Sequence, residues 1–129
     1  MAPTRGWLDD QDTPHIRIAV SPEGSTVPPK EFDAIIDTGF TGFVQLPAND
    51  VAAAGLKPDS EMSLTDARGI TRPTSVAWGT IHLGSETREG FVVAMPEVNE
   101  ALVGVRFLEQ FRKTLMFSVG RREVLLTDD

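Results

Sequence analysis

Short alternating apolar runs, broken again and again by proline or glycine, limit what this chain can fold into. HIRIAV (15–20) sets Ile16, Ile18 and Val20 against Arg17 and Ala19, the period of a half-buried strand. SPEGSTVPPKE then turns the chain and FDAIID returns as a second strand, so the two predict a long hairpin. FVQL follows as a short third strand. Between Met62 and Met95 the stretches MSLT, TSVAWGTIHL and GFVVAM read as strands, with turns expected at 66–69 and 84–90 and with Trp78 expected in the core. TLMFS, a turn at Gly120-Arg121 and EVLL close the chain as a hairpin. Two helices are expected. One runs over Asp50 to Ala54, with Asn49 as N-cap and Gly55 as stop. The other covers Val105–Phe111, where apolar residues at 105, 107, 108 and 111 form a stripe. The expectation is a mostly-β domain with one or two short helices.

At 129 residues the chain is most simply one domain. Residues 1–13 are polar, with Asp9, Asp10 and Asp12, and read as a flexible leader or as an arm that docks through Trp7; residues 14–127 read as the domain. The absence of cysteine excludes disulfides, thiolate catalysis and Cys-based zinc sites, and His15 and His82 alone cannot make a histidine-rich metal centre. Both histidines read as strand or surface residues. A net charge of −7 argues against nucleic acid, whose phosphates need a basic face. No run approaches the roughly 18 apolar residues of a membrane span, and the first residues lack the apolar core of a signal peptide. A soluble, cytoplasmic protein is expected, without membrane partner.

The residue that stability does not explain is Asp37. It ends the apolar strand FDAIID and is followed at once by Thr38-Gly39. A carboxylate at the end of a buried strand is costly to desolvate, so it usually has a partner or a job. A turn aspartate that binds local backbone is one reading; a catalytic carboxylate is the other.

Asp37-Thr38-Gly39 in this context, with Thr41-Gly42 and FVQLP after it and ALVGVRFLEQF about sixty residues later, resembles the retropepsin-like aspartic peptidases, above all their small soluble prokaryotic members. The resemblance runs over about residues 15 to 127 and implies a small closed β-barrel of retropepsin (acid protease) type. It implies that Asp37 is catalytic, that Thr38 cross-links two active-site loops through its hydroxyl, and that Gly39 lets backbone approach the substrate. Val103 and Gly104 would brace the loop from behind, and Leu102 would brace it or line the substrate. Phe40, Ala67, Arg68, Gly69 and Ile70 would be substrate or flap residues, with Gly69 as tip or hinge. Phe40 stands where retroviral members carry a small residue, and Arg106 where an Asp or Asn commonly supports the site by hydrogen bonding.

The activity so implied needs two carboxylates, and this chain has one such motif. Asp33 lies four residues earlier on the same strand, roughly 13 Å away. A second Asp37 must then come from another copy of the chain, across a twofold axis. The reading is a homodimeric aspartic endopeptidase acting on peptides or proteins, with no metal and no organic cofactor. The alternative is a catalytically inactive dimer of the same fold that binds or scaffolds peptides; weaker still is a metal-binding dimer of paired Asp37 carboxylates.

Overall fold

In the computed structural model, residues 3–65 and 68–129 are described, and the first of them correct the expectation of a flexible leader. Strand β1 (Thr4–Arg5) pairs antiparallel with β11 (Glu123–Asp128), and β2 (Trp7–Leu8) pairs antiparallel with β3 (Pro14–Ser21). The aspartates that suggested disorder build a turn. Asp9 Oδ1 accepts the backbone N–H groups of Gln11 and Thr13, and its Oδ2 lies 2.8 Å from Nε2 of His15. These contacts, the His15 side chain first, hold the Asp9 carboxyl below its ordinary value. The Trp7 ring stacks on His15, centroids 5.4 Å apart.

β3 buries Ile16, Ile18 and Val20, as its alternation requires, and forms the expected hairpin with β4 (Lys30–Ile36). The chain then passes through β5 (Val44–Pro47), α1 (Ala48–Ala53), β6 (Ser60–Thr65), β7 (Thr71–Leu83), β8 (Glu86–Met95), β9 (Ala101–Val103), α2 (Val105–Phe111) and β10 (Lys113–Ser118) before β11. Pairing runs β3-β4-β9-β5-β8-β7, and β7 returns to β3 through Ala19↔His82, Val20↔Ile81 and Ser21↔Thr80. That closes six strands into a barrel, a solution that leaves no edge within the ring. β2 and β6 extend it, and β1, β11 and β10 form a separate three-stranded sheet. No helix of the described residues is long and apolar enough to cross a membrane.

Several local expectations are corrected. α1 takes Pro47, extended at φ −53° and ψ 141°, as its N-cap, and Asn49 lies inside its first turn and makes no cap bond. Gly55 does stop it, at a φ of +82°. β8 begins at Glu86, so the turn before it is short and carried by Gly84 at a φ of +60°. Gly90 sits inside the strand, because a Cβ there would meet the Phe43 ring at 2.6 Å. Trp78 is 43% exposed; it shares strand parity with Thr80 and His82, while Ala77, Gly79 and Ile81 face inward. α2 spans the expected residues and buries Phe107 and Phe111, but Val105 at its first position is 41% exposed.

Away from the barrel mouth, Lys113 is buried and ion-paired. Its Nζ lies 2.6 Å from Glu86 and donates to Asp128, which ties β8, β10 and β11 together. Those partners, Asp128 foremost, raise the Lys113 pKa; Lys113 lowers that of Asp128.

Candidate active site

Asp37 is the first residue after β4, and the loop it opens is held by backbone hydrogen bonds and by the packing of one ring. β9 threads between the two strands that flank this loop. It is parallel to β4, with Ile36 opposite Val103, and antiparallel to β5, with Val44 opposite Val103. The Asp37 N–H donates to Val103 O at 2.9 Å, Gly104 N–H to Phe43 O at 3.1 Å, Val105 N–H to Phe40 O at 2.9 Å and Arg106 N–H to Gly42 O at 3.1 Å. Such close approach explains the glycine at 104, where a Cβ would meet Phe40 O at 2.3 Å and Gly42 O at 2.5 Å. Phe43, at the end of the loop, anchors it by packing on Phe107 and Phe111 with centroids 6.1 and 6.3 Å away.

The carboxylate is half-buried. One oxygen, Oδ1, accepts the Gly39 N–H at 2.8 Å, which orients the group. Asp37 also borders a recess of about 370 Å³ shared with Gln45, Glu100 and Leu102. Glu100 precedes β9. By the register of β9 on β4 it aligns with Asp33, four positions before Asp37, roughly 13 Å along the strand. Asp33, on β4, accepts from Arg17 Nε at 2.5 Å. Among the described residues, no group of three His, Asp or Glu side chains could hold a metal ion.

The remaining candidates fall around this centre. Thr38 and Gly39 are exposed on the turn. Val103 and Gly104 are buried behind it, and Leu102 is partly exposed beside Asp37. Phe40 lies with its ring over Gly42, where a Cβ would meet Cζ at 2.5 Å, and forms a wall common to two cavities. The first cavity, about 540 Å³, lies between the loop and the β6–β7 hairpin and takes in Gly39, Phe40, Arg68 and Ile70. The second, about 450 Å³, runs from Phe40 to Trp78 and Phe91. Gly69 has a φ of +82° at the hairpin turn, a conformation that favours glycine. Ala67 lies outside the described residues.

Two findings go beyond the motifs. Arg106 braces the loop through its backbone N–H, while its side chain points to Glu109 on its own helix at 3.7 Å. The position therefore supports the loop without the polar side chain the resemblance led one to expect. Gln45, Arg72, Thr74 and Met95 also line the hairpin cavity, none of them marked by a motif. Gln45 was legible only as the exposed-parity residue of VQLP, beside buried Val44 and Leu46.

No family model and no curated protein matches this chain. Among solved structures, the solution structure of Simian Foamy Virus (mac) protease is similar at a TM-score of 0.53 and 17% sequence identity, over 79% of this chain and 99% of that one. The fold of this chain is therefore the retropepsin-like one: mostly β, with a closed six-stranded barrel and two helices.

Proposed function

We propose that this chain is an aspartic endopeptidase whose active form is a homodimer, with Asp37 of each copy supplying one of two carboxylates. The observation that carries the reading is the Asp37 carboxylate itself. It stands half-buried at a strand end, on a loop fixed by backbone bonds to Val103 and to the start of α2, and it opens to a recess in a fold shared with a protease. Fold alone does not assign chemistry; the placed carboxylate does the rest of the argument.

Two like charges within a few ångströms cannot both ionise cheaply, so a facing pair of Asp37 carboxyls would hold one proton between them. A water between them then loses a proton to the ionised carboxylate while its oxygen attacks the peptide carbonyl carbon. The protonated carboxyl gives its proton to the carbonyl oxygen, and the resulting diol collapses as the amine leaves with a proton returned by the pair. The two titrations belong to the pair and not to either copy. The Gly39 N–H fixes one oxygen of each carboxylate, and the β6–β7 hairpin would cover the peptide.

Wild type and Asp37→Asn are to be incubated with a complex peptide mixture across about pH 4 to 7.5, with new termini read by mass spectrometry and oligomeric state by sedimentation. Cuts made only by wild type support the reading. Full activity in a strictly monomeric protein overturns the shared dyad, and silence from a confirmed dimer makes it a peptide-binding module.

A further inference from the structure

Among the described residues, those lining the cavity beneath the β6–β7 hairpin carry charge of one sign. The cavity's polar lining is Thr41, Gln45, Ser63, Thr65 and Thr74, and its charged lining is Arg68 and Arg72, with no carboxylate among the described residues that border it. The neighbouring recesses differ. Glu89 and Arg106 both line the one beside Trp78, and Glu100 shares the third with Asp37. Arginine as the only charge among the described lining residues also runs against the chain as a whole, which has 19 acidic and 12 basic residues. Arg72 is exposed on β7 opposite Leu64, and its guanidinium enters no ion pair among the described residues. Low-dielectric walls focus such a field, and guanidinium forks match carboxylates in shape as well as sign.

We propose that this cavity takes an acidic side chain, so that the peptide drawn toward Asp37 carries Asp or Glu in the stretch that the hairpin covers. An apolar peptide would fill the Phe40, Leu64 and Met95 surfaces equally well but leave Arg72 without a counter-charge. A cationic one would meet like charge there, whereas the described carboxylates line the other two recesses. This substrate class rests on the aspartic-peptidase reading above, yet its charge preference is measurable without cleavage.

The test uses full-length Asp37→Asn and labelled apolar peptides of one length that carry Glu, Gln or Lys at a single position, with affinity read by fluorescence anisotropy. At one or more positions the Glu peptide is expected to bind about three- to fivefold tighter than the Gln peptide, the scale of a half-shielded ion pair. The ratio should fall toward one as ionic strength rises from about 0.01 to about 1 M. Adding Arg72→Gln should erase it, and adding Arg72→Glu should turn the preference to Lys; thermal unfolding checks that each variant folds, and the salt dependence of Asp37→Asn alone stands if one does not. Equal binding of Glu and Gln peptides at low salt overturns the proposal, as does a Glu preference that survives Arg72→Glu, and so does an absence of peptide binding. Wild-type cleavage without acidic enrichment near the cuts overturns it while leaving the peptidase intact. Acid-selective binding without any cleavage does the reverse.

Discussion

Two segments border the same cavity and are built in opposite ways. The Asp37–Phe43 loop is clamped by backbone donors of Gly104, Val105 and Arg106, backed by buried Val103 and pinned by the Phe43 ring. The β6–β7 hairpin across from it is a ladder with little underneath. β6 has no fully buried residue, and near the turn the strands are joined by a hydrogen bond between the Thr65 and Thr71 hydroxyls at 2.8 Å. Regions that bury little open at little cost in free energy, whereas those tied into the core open only with the whole domain. Asp37 is thus on the part tied into the core, and the hairpin is the part that opens at less cost.

The sharpest way to break this comparison is at Asp37. Asp37→Asn should lower peptide cleavage by at least about 10²–10⁴-fold, the scale of general acid-base catalysis. The unfolding midpoint should hardly change, because the carboxylate's described bond is a single local one from Gly39. A variant that loses stability along with activity would show that Asp37 is structural. Gly104→Ala strikes the clamp instead. Its methyl group has no room beside Phe40 O, so it should cost about 1–3 kcal/mol in urea denaturation, as overpacking does, and should lower cleavage by displacing the loop.

Thr65→Val acts on the other side of the comparison and should cost no more than about 0.5 kcal/mol at so exposed a site. Its effect belongs in KM and in faster amide exchange along β6. Exchange at Asp37 and Val105 as fast as at Ser63 would erase the distinction between clamp and cover.

A titration at a distance serves as the control. Asp128 has a lowered pKa through Lys113, so its contribution to stability is present above its ordinary value of 3.8 and lost as pH falls through the lowered one. Lys113, raised from 10.5, contributes fully below that value and loses its contribution as pH rises through the raised one. Lys113→Met should flatten the acid side of a stability–pH curve measured by thermal unfolding. An unchanged acid limb would show that the ion pair adds nothing net.

Much of the barrel was legible because strand parity is a local signal. Ile16, Ile18 and Val20 face inward as written, and α2 begins and ends at the expected residues. Trp78 was legible too, yet misread: its bulk suggested the core, while its parity with Thr80 and His82 placed it outside. Three aspartates made the first residues look loose, but Asp9 spends its charge on a turn and on His15. At the candidate site, Asp37, Gly39 and Gly104 stood out through motif and spacing. Gln45 and Arg72 did not, since nothing local distinguishes a polar strand residue that lines a cavity from one that faces solvent.

By itself the sequence determined the period of strands such as β3 and β4 and the strand-end position of Asp37. Only the tertiary structure decided that β9 inserts between β4 and β5, that β7 closes on β3, and that two arginines converge on one cavity. The physical reason is reach. Side-chain alternation is set by neighbours along the chain, but pairing between distant segments must repay loop-closure entropy and is settled by the packing of the whole barrel at once.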